Sequence, residues 1–170
     1  MDRIIEVVEI LNRVLDKYES NTASASKDEL LEEMLHVYGT AYFSAAIASV
    51  RGLDPKLAFV IGLMHDTGRF AGNMDDGKHG PVGAVKVKKL LGDMKRFTDE
   101  ELEIISCAIH NHSNKKDIGT EYEEIIKDAD VLERLFLAKE TYVGNKKRRK
   151  RLKNALEQLG LKLFQKKKKT

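Results

Sequence analysis

This chain is poor in the residues that build extracellular or thiolate-based structures. Of its 170 residues one is cysteine, two are proline and five are histidine. A single cysteine excludes an intramolecular disulfide framework and a Cys-rich structural zinc site. No apolar run approaches the roughly eighteen residues of a membrane-spanning helix. The opening stretch MDRIIEVVEILNRVL carries Asp2, Glu6 and Glu9 and no small-residue cleavage site, so no secretory signal is expected. No segment reads as a strand, and no repeat is found. The expectation is one cytoplasmic globular domain, or a domain plus an appendage, with 42% hydrophobic and 34% charged residues.

Net charge is small, but the charges are unevenly placed. Net charge is +3, yet residues 145–170 hold 12 Lys and Arg against one acid, Glu157. Residues 1–144 hold 18 Lys and Arg against 26 Asp and Glu, a net of −8. The acidic body is read as residues 1–144, and 145–170 as a basic C-terminal helix and tail. NKKRRKRLKN and QKKKKT read as a solvated charge run or as a patch for nucleic acid. No membrane span is expected, and the oligomeric state is not specified.

Helical periodicity runs almost throughout. Ile4, Ile5, Val7, Val8, Leu11, Val14 and Leu15 recur at helical spacing, and a loop is expected from Glu19. Ser26 with Glu29, and Thr98 with Glu101, are capping-box signatures, predicting helices from Lys27 to Arg51 and through Ile104, Ile105 and Ile109. Asp54-Pro55 is an N-cap followed by proline at the first helical position, predicting a helix over Pro55–Asp66. Pro81 is expected to open another, with Val82, Val85, Leu90 and Leu91 facing inward. Helices are expected over Glu121–Val143, with Leu135–Leu137 facing in, and over Lys146–Phe164, with Leu152, Leu156, Leu159 and Leu163 on one stripe. Cys107, between Ile105 and Ile109, reads as core. The fold class is all-α, a compact helical bundle.

The five histidines, His36, His65, His79, His110 and His112, all lie between residues 36 and 112. His65 and Asp66 end the apolar run LAFVIGLM, where an ionised carboxylate is costly unless paired or bound to a metal. Asp128 and Asp130 sit in another apolar helical stretch. Imidazoles and carboxylates converging from several helices form divalent-metal sites in bundles. N/O ligation without thiolates favours Mn, Fe, Co, Ni or Zn. Each of these residues alone also fits a hydrogen-bonded core position.

Taken in order, these segments resemble the HD-domain superfamily of metal-dependent phosphohydrolases over about residues 30–140. GLMHDTGRF is similar to its LLHDIGK/R segment, KHGPVGA to H-x-x-x-GA, AIHNHS to AI-x-x-H, and IIKDADVLERL to I-x-DAD-x-L, with His36 ahead of them all. The resemblance implies a metal held by His36, His65, Asp66 and Asp130, the Asp after the small residue being preferred to Asp128. For members with two metals it adds His79 and His112, with Asp66 bridging; His110 is the rival for the last place, or a substrate contact. It further implies one or two divalent transition metals, and hydrolysis of a phosphomonoester or phosphodiester of a small phosphorylated substrate, a nucleotide by class. Asp66 is then central to catalysis and Arg69 contacts a substrate phosphate, with Lys78, Lys115 and Lys116 as weaker candidates for the same task. The loops over 71–78 and 113–120 are expected to shape the pocket. The alternatives are a di-iron oxygenase on the same fold and a non-catalytic nucleic-acid-binding or regulatory module. No GYP element follows the metal segment, so cyclic di-GMP is not implied.

Overall fold

The computed structural model describes residues 2–21, 27–70, 78–137 and 146–161. Among these residues there are helices and no strand, as the periodicity predicts. They are α1 (Arg3–Asn21), α2 (Lys27–Val50), α3 (Pro55–Met64), α4 (Thr67–Phe70), α5 (His79–Asp93), α6 (Asp99–Asn111), α7 (Glu121–Leu137) and α8 (Lys146–Gln158).

The central element is α3. Seven of its ten residues are buried, as expected of a helix apolar on nearly all sides. Asp54 caps it by accepting from Lys56 N–H at 2.8 Å, with Pro55 in the first turn. It packs against α2, α6, α7 and α1. The α2 contact needs a glycine: a Cβ on Gly62 would lie 2.6 Å from Ala41 Cα. Two apolar clusters flank this axis. One joins α1, α2, α3, α5 and α6 through residues such as Leu11, Val37, Ile61, Leu91 and Ile105. The other joins α2, α3, α7 and α8 through Ile47, Ala58, Leu132 and Leu156.

Several boundaries differ from those expected, each for a local reason. α3 stops at Met64, not Asp66. The chain turns at His65-Asp66 and resumes as α4, where Gly68 lies against α5; a Cβ there would fall 1.9 Å from the His79 carbonyl oxygen. α5 begins at His79, two residues before Pro81, because the first turn of a helix tolerates proline. Its buried face is Gly80, Gly83, Ala84, Val87 and Leu91. Val82 and Val85 are exposed, which corrects their inward placement. α1 runs through to Asn21, past the expected loop start at Glu19. Phe136 is exposed, stacked on Phe43. Cys107 is only partly buried and its thiol donates to Glu103.

Thr98 and Glu101 form the predicted capping box. The Ser26 box and the segment 138–143 lie outside the described residues. α2 and α8 both end in the Schellman geometry. Leu53 N–H reaches Ala48 carbonyl at 2.9 Å around Gly52 (φ 72°), and Leu161 N–H reaches Leu156 carbonyl at 2.8 Å around Gly160 (φ 66°). The second of these ends α8 at Gln158 and corrects the expected run to Phe164. Leu163 lies outside the described residues.

Candidate metal centre

The break between α3 and α4 determines where the site stands. Because α3 ends at Met64, His65 and Asp66 leave the apolar helix at a turn that faces α2, α5, α6 and α7. His36 comes from the middle of α2, His79 from the first residue of α5, His112 from the C-terminal cap of α6 and Asp130 from the middle of α7. All six are buried. Four helices and one turn thus bring together residues up to 94 positions apart, a convergence that sequence spacing does not encode.

Asp66 is the hub. Its Oδ2 lies 3.5 Å from His36 Nε2 and 3.4 Å from His65 Nε2. Its Oδ1 lies 3.3 Å from both His79 Nε2 and His112 Nε2. The carboxylate therefore faces two histidine pairs, one on each oxygen. Within the pairs, His36 and His65 approach Nε2 to Nε2 at 3.2 Å, and His79 and His112 at 2.9 Å. Asp130 Oδ1 joins the first group, 3.4 Å from His36 Nε2. Each group, His36–His65–Asp66 and Asp66–His79–His112, has its ligand atoms within the reach of one ion.

The proton bookkeeping makes these contacts informative. His65 Nδ1–H donates to the Gly62 carbonyl and His112 Nδ1–H to the Ile109 carbonyl, each at 2.6 Å. A neutral ring whose Nδ1 carries the proton has a bare lone pair at Nε2. Both lone pairs face the Asp66 oxygens, at 3.4 and 3.3 Å, so neither ring gives them a proton; Arg69 Nε stands 3.2 Å from Oδ1. Buried acceptors facing acceptors repel unless a cation lies between them. The residues present therefore fit one or two divalent ions. His36 is oriented in the same way from outside, its Nδ1 held by the Glu133 carboxylate.

Electrostatics follow the packing. Burial alone would lower the His36 pKa, but Asp66 and Glu133 reverse this and raise it to about 9. Burial dominates at His79, which is pushed down to about 4, and at His112, also lowered. Those two rings are neutral at pH 7 and able to donate lone pairs. Asp66 is held well below the usual carboxylate range: burial opposes ionisation, and the surrounding histidines overcome it. Asp130 is likewise lowered, with burial outweighed by Lys115, His36 and other cations.

The hub opens onto a cavity of about 300 Å³ lined by Glu33, Asp66, Arg69, His79, His112, Ser113, Lys115, Asp130, Arg134 and Arg148. Arg69 Nε is 3.2 Å from Asp66 Oδ1. Arg134 Nε is 3.2 Å from Asp130 Oδ1, and Lys115 pairs with Asp130 Oδ2. Ser113 Oγ sits between His79 Nε2 (2.9 Å) and His112 Nε2 (3.1 Å). Lys78 and His110 are exposed and do not line this cavity. Of the two loops expected to shape it, 113–120 contributes Ser113 and Lys115, and 71–77 lies outside the described residues.

Glu33, Glu133, Arg134 and Arg148 were not singled out from the sequence. Glu133 and Arg134 had a signal: they follow Asp130 at the three- and four-residue spacing that shares a helix face. Glu33, three residues before His36, had the same one. Arg148 had none, since it lies within a run of like charges.

A family model described as HD domain matches residues 34–135. Among curated proteins, Ribonuclease Y of Mycoplasma mycoides subsp. mycoides is 34% identical over 99 residues, 58% of this chain and 18% of that protein. Ribonuclease Y of Clostridium kluyveri is 25% identical over 128 residues, 75% of this chain and 21% of that protein. Ribonuclease Y of Opitutus terrae is 30% identical over 97 residues, 57% and 17% respectively. The chain spans about a fifth of the length of these relatives. No solved structure gives a significant match.

Proposed function

The chain belongs to the HD-domain family, and from that premise we propose that it is a divalent-metal-dependent phosphohydrolase cleaving a phosphomonoester or phosphodiester of a nucleotide. The observation that carries the reading is Asp66, a buried carboxylate whose two oxygens each face a histidine pair beside a cation-lined cavity. His36, His65, Asp66 and Asp130 would hold one ion, and His79 and His112, sharing Asp66, a second. A divalent ion there supplies Lewis acidity, which lowers the pKa of water toward neutrality and polarises a phosphoryl oxygen.

The protein's own residues do the rest. Nδ1–H bonds to Gly62 and Ile109 fix the ring tautomers, and Glu133 fixes that of His36. Arg69, Lys115 and Arg134 stand on the cavity side of Asp66 and Asp130. They place positive charge where phosphoryl oxygens would lie and where negative charge grows in the transition state. Ser113 Oγ, between His79 and His112, can hold a water by hydrogen bonding. Three cations beside the carboxylates support phosphate chemistry over the oxygenase alternative. The name of the relatives makes an RNA phosphodiester the first substrate to test.

The test is metal analysis together with a phosphatase and phosphodiesterase screen on the wild type, His65→Ala and Asp66→Ala. The expected result is metal-dependent hydrolysis by the wild type, reduced at least about 100-fold in both variants. Full activity in either variant sinks the assignment.

A further inference from the structure

The HD-domain match ends at residue 135, yet a side chain beyond it reaches the cavity. Arg148, in the first turn of α8, lines the same cavity as Asp66, Lys115 and Arg134. α8 is docked firmly enough to present it. Arg151 Nη1 donates to Glu124 (2.7 Å) and Asp128 (2.9 Å), and Arg151 Nε to the Lys115 carbonyl (3.2 Å). Leu152, Ala155 and Leu156 are buried with Ile125, Ala129 and Leu132 of α7. At the far end, Arg51 donates to Gln158 at 3.1 Å. So part of the basic run is not a solvated tail: one face packs on the body, and its first turn adds a guanidinium to the cavity.

Arg69 is paired with Asp66, and Lys115 and Arg134 with Asp130. These three are anchored on the ligand side, where a reacting phosphate would sit. Arg148 comes to the cavity from a different helix. The lining carries four basic side chains against three carboxylates before any divalent ion is added. With a divalent ion bound, one phosphate, at most a dianion, would still leave the cavity positively charged. Its volume, about 300 Å³, is at the lower end for ligand pockets and suits one nucleotide with its phosphates better than a duplex.

We propose that α8 is a specificity element in which Arg148 binds a second phosphate of the substrate, next to the one that reacts. This deepens the phosphohydrolase reading and rests on it. The shared chemistry is a second phosphate, either on the same nucleoside, as in a polyphosphate, or one nucleotide away in a chain.

Binding by calorimetry to the full Mn²⁺-loaded chain tests this without requiring turnover. The probes are methylphosphonate, methylenebisphosphonate, and a phosphorothioate-linked dithymidine with and without a 5′-phosphate. The wild type is expected to favour a two-anion probe over its one-anion counterpart by about tenfold or more, and Arg148→Ala to reduce that ratio to about threefold or less. Arg148→Gln is expected to match, should alanine disturb α8. Lys153→Ala, which removes an equal charge from the outer face of α8, is expected to keep the ratio. The two probe pairs distinguish the adjacent phosphate from the distant one. No preference in the wild type, a preference surviving loss of Arg148, or an equal collapse in Lys153→Ala would each overturn the proposal. An intact, Arg148-dependent preference in a chain that hydrolyses nothing would instead defeat the enzymatic reading alone.

Discussion

At the scale of single residues, the site is built from groups that have meaning only in pairs. His36 ring orientation depends on Glu133, buried one turn beyond Asp130 on α7. Removing the Glu133 charge leaves Nδ1 of His36 with a weaker acceptor and its Nε2 less basic. Glu133→Gln is therefore expected to weaken divalent-ion affinity by about 10- to 100-fold. Competition with a chelating dye measures this, and an unchanged far-UV spectrum separates it from unfolding. An affinity within about twofold of wild type would show that Glu133 does not position the ring.

At the scale of helices, close approach and docking control the geometry. Gly62 lets α3 lie against the α2 backbone, three residues before His65. A Cβ there meets Ala41 Cα at 2.6 Å, Ala41 N at 2.9 Å and Ser44 Oγ at 2.9 Å, and two of the three are backbone atoms that cannot rotate away. Gly62→Ala is expected to destabilise by about 1–3 kcal/mol, read as a lower midpoint in urea with an unchanged slope. The docking of α8 has an electrostatic signature. Burial would raise the Glu124 pKa, but Arg151, the Gly119 N–H and Lys127 lower it instead. A carboxyl whose folded pKa is lowered stabilises the fold above its unfolded value, and that contribution disappears as pH falls through the folded one. Glu124→Gln should thus cost roughly 1 kcal/mol at pH 7. The gap to wild type should narrow below the ordinary carboxyl value of 4.5, as thermal melts across pH would record. A gap independent of pH would assign the contribution to packing.

At the scale of the whole molecule, the two apolar clusters flank a polar centre where histidine lone pairs and the Asp66 carboxylate converge. Chelation is expected to lower the melting temperature, and added Mn²⁺ to restore it. The gain should rise with ion concentration as linkage requires, about 2.7 kcal/mol at a hundredfold excess over Kd. A melting temperature indifferent to both treatments would argue against any ion at Asp66. The all-α class was legible in the sequence because 3.6-residue periodicity, the Thr98–Glu101 box and the Asp54-Pro55 start are local signals, and local hydrogen bonds obey them. The six histidine and aspartate positions were legible only through the order of their segments, since spacings of 13 to 33 residues between those segments say nothing about distance in space. The misread faces, Val82 and Val85 outward and Cys107 half exposed, have one cause: hydrophobicity states a preference for burial, and the available neighbours decide whether it is met. The sequence by itself determined that this protein is helical and in what order its candidate histidine and aspartate ligands follow one another. Only the tertiary structure decided that α3 breaks at His65, that both Asp66 oxygens are shared, and that a basic helix lends Arg148 to the cavity, because each of these depends on packing between segments that no local interaction connects.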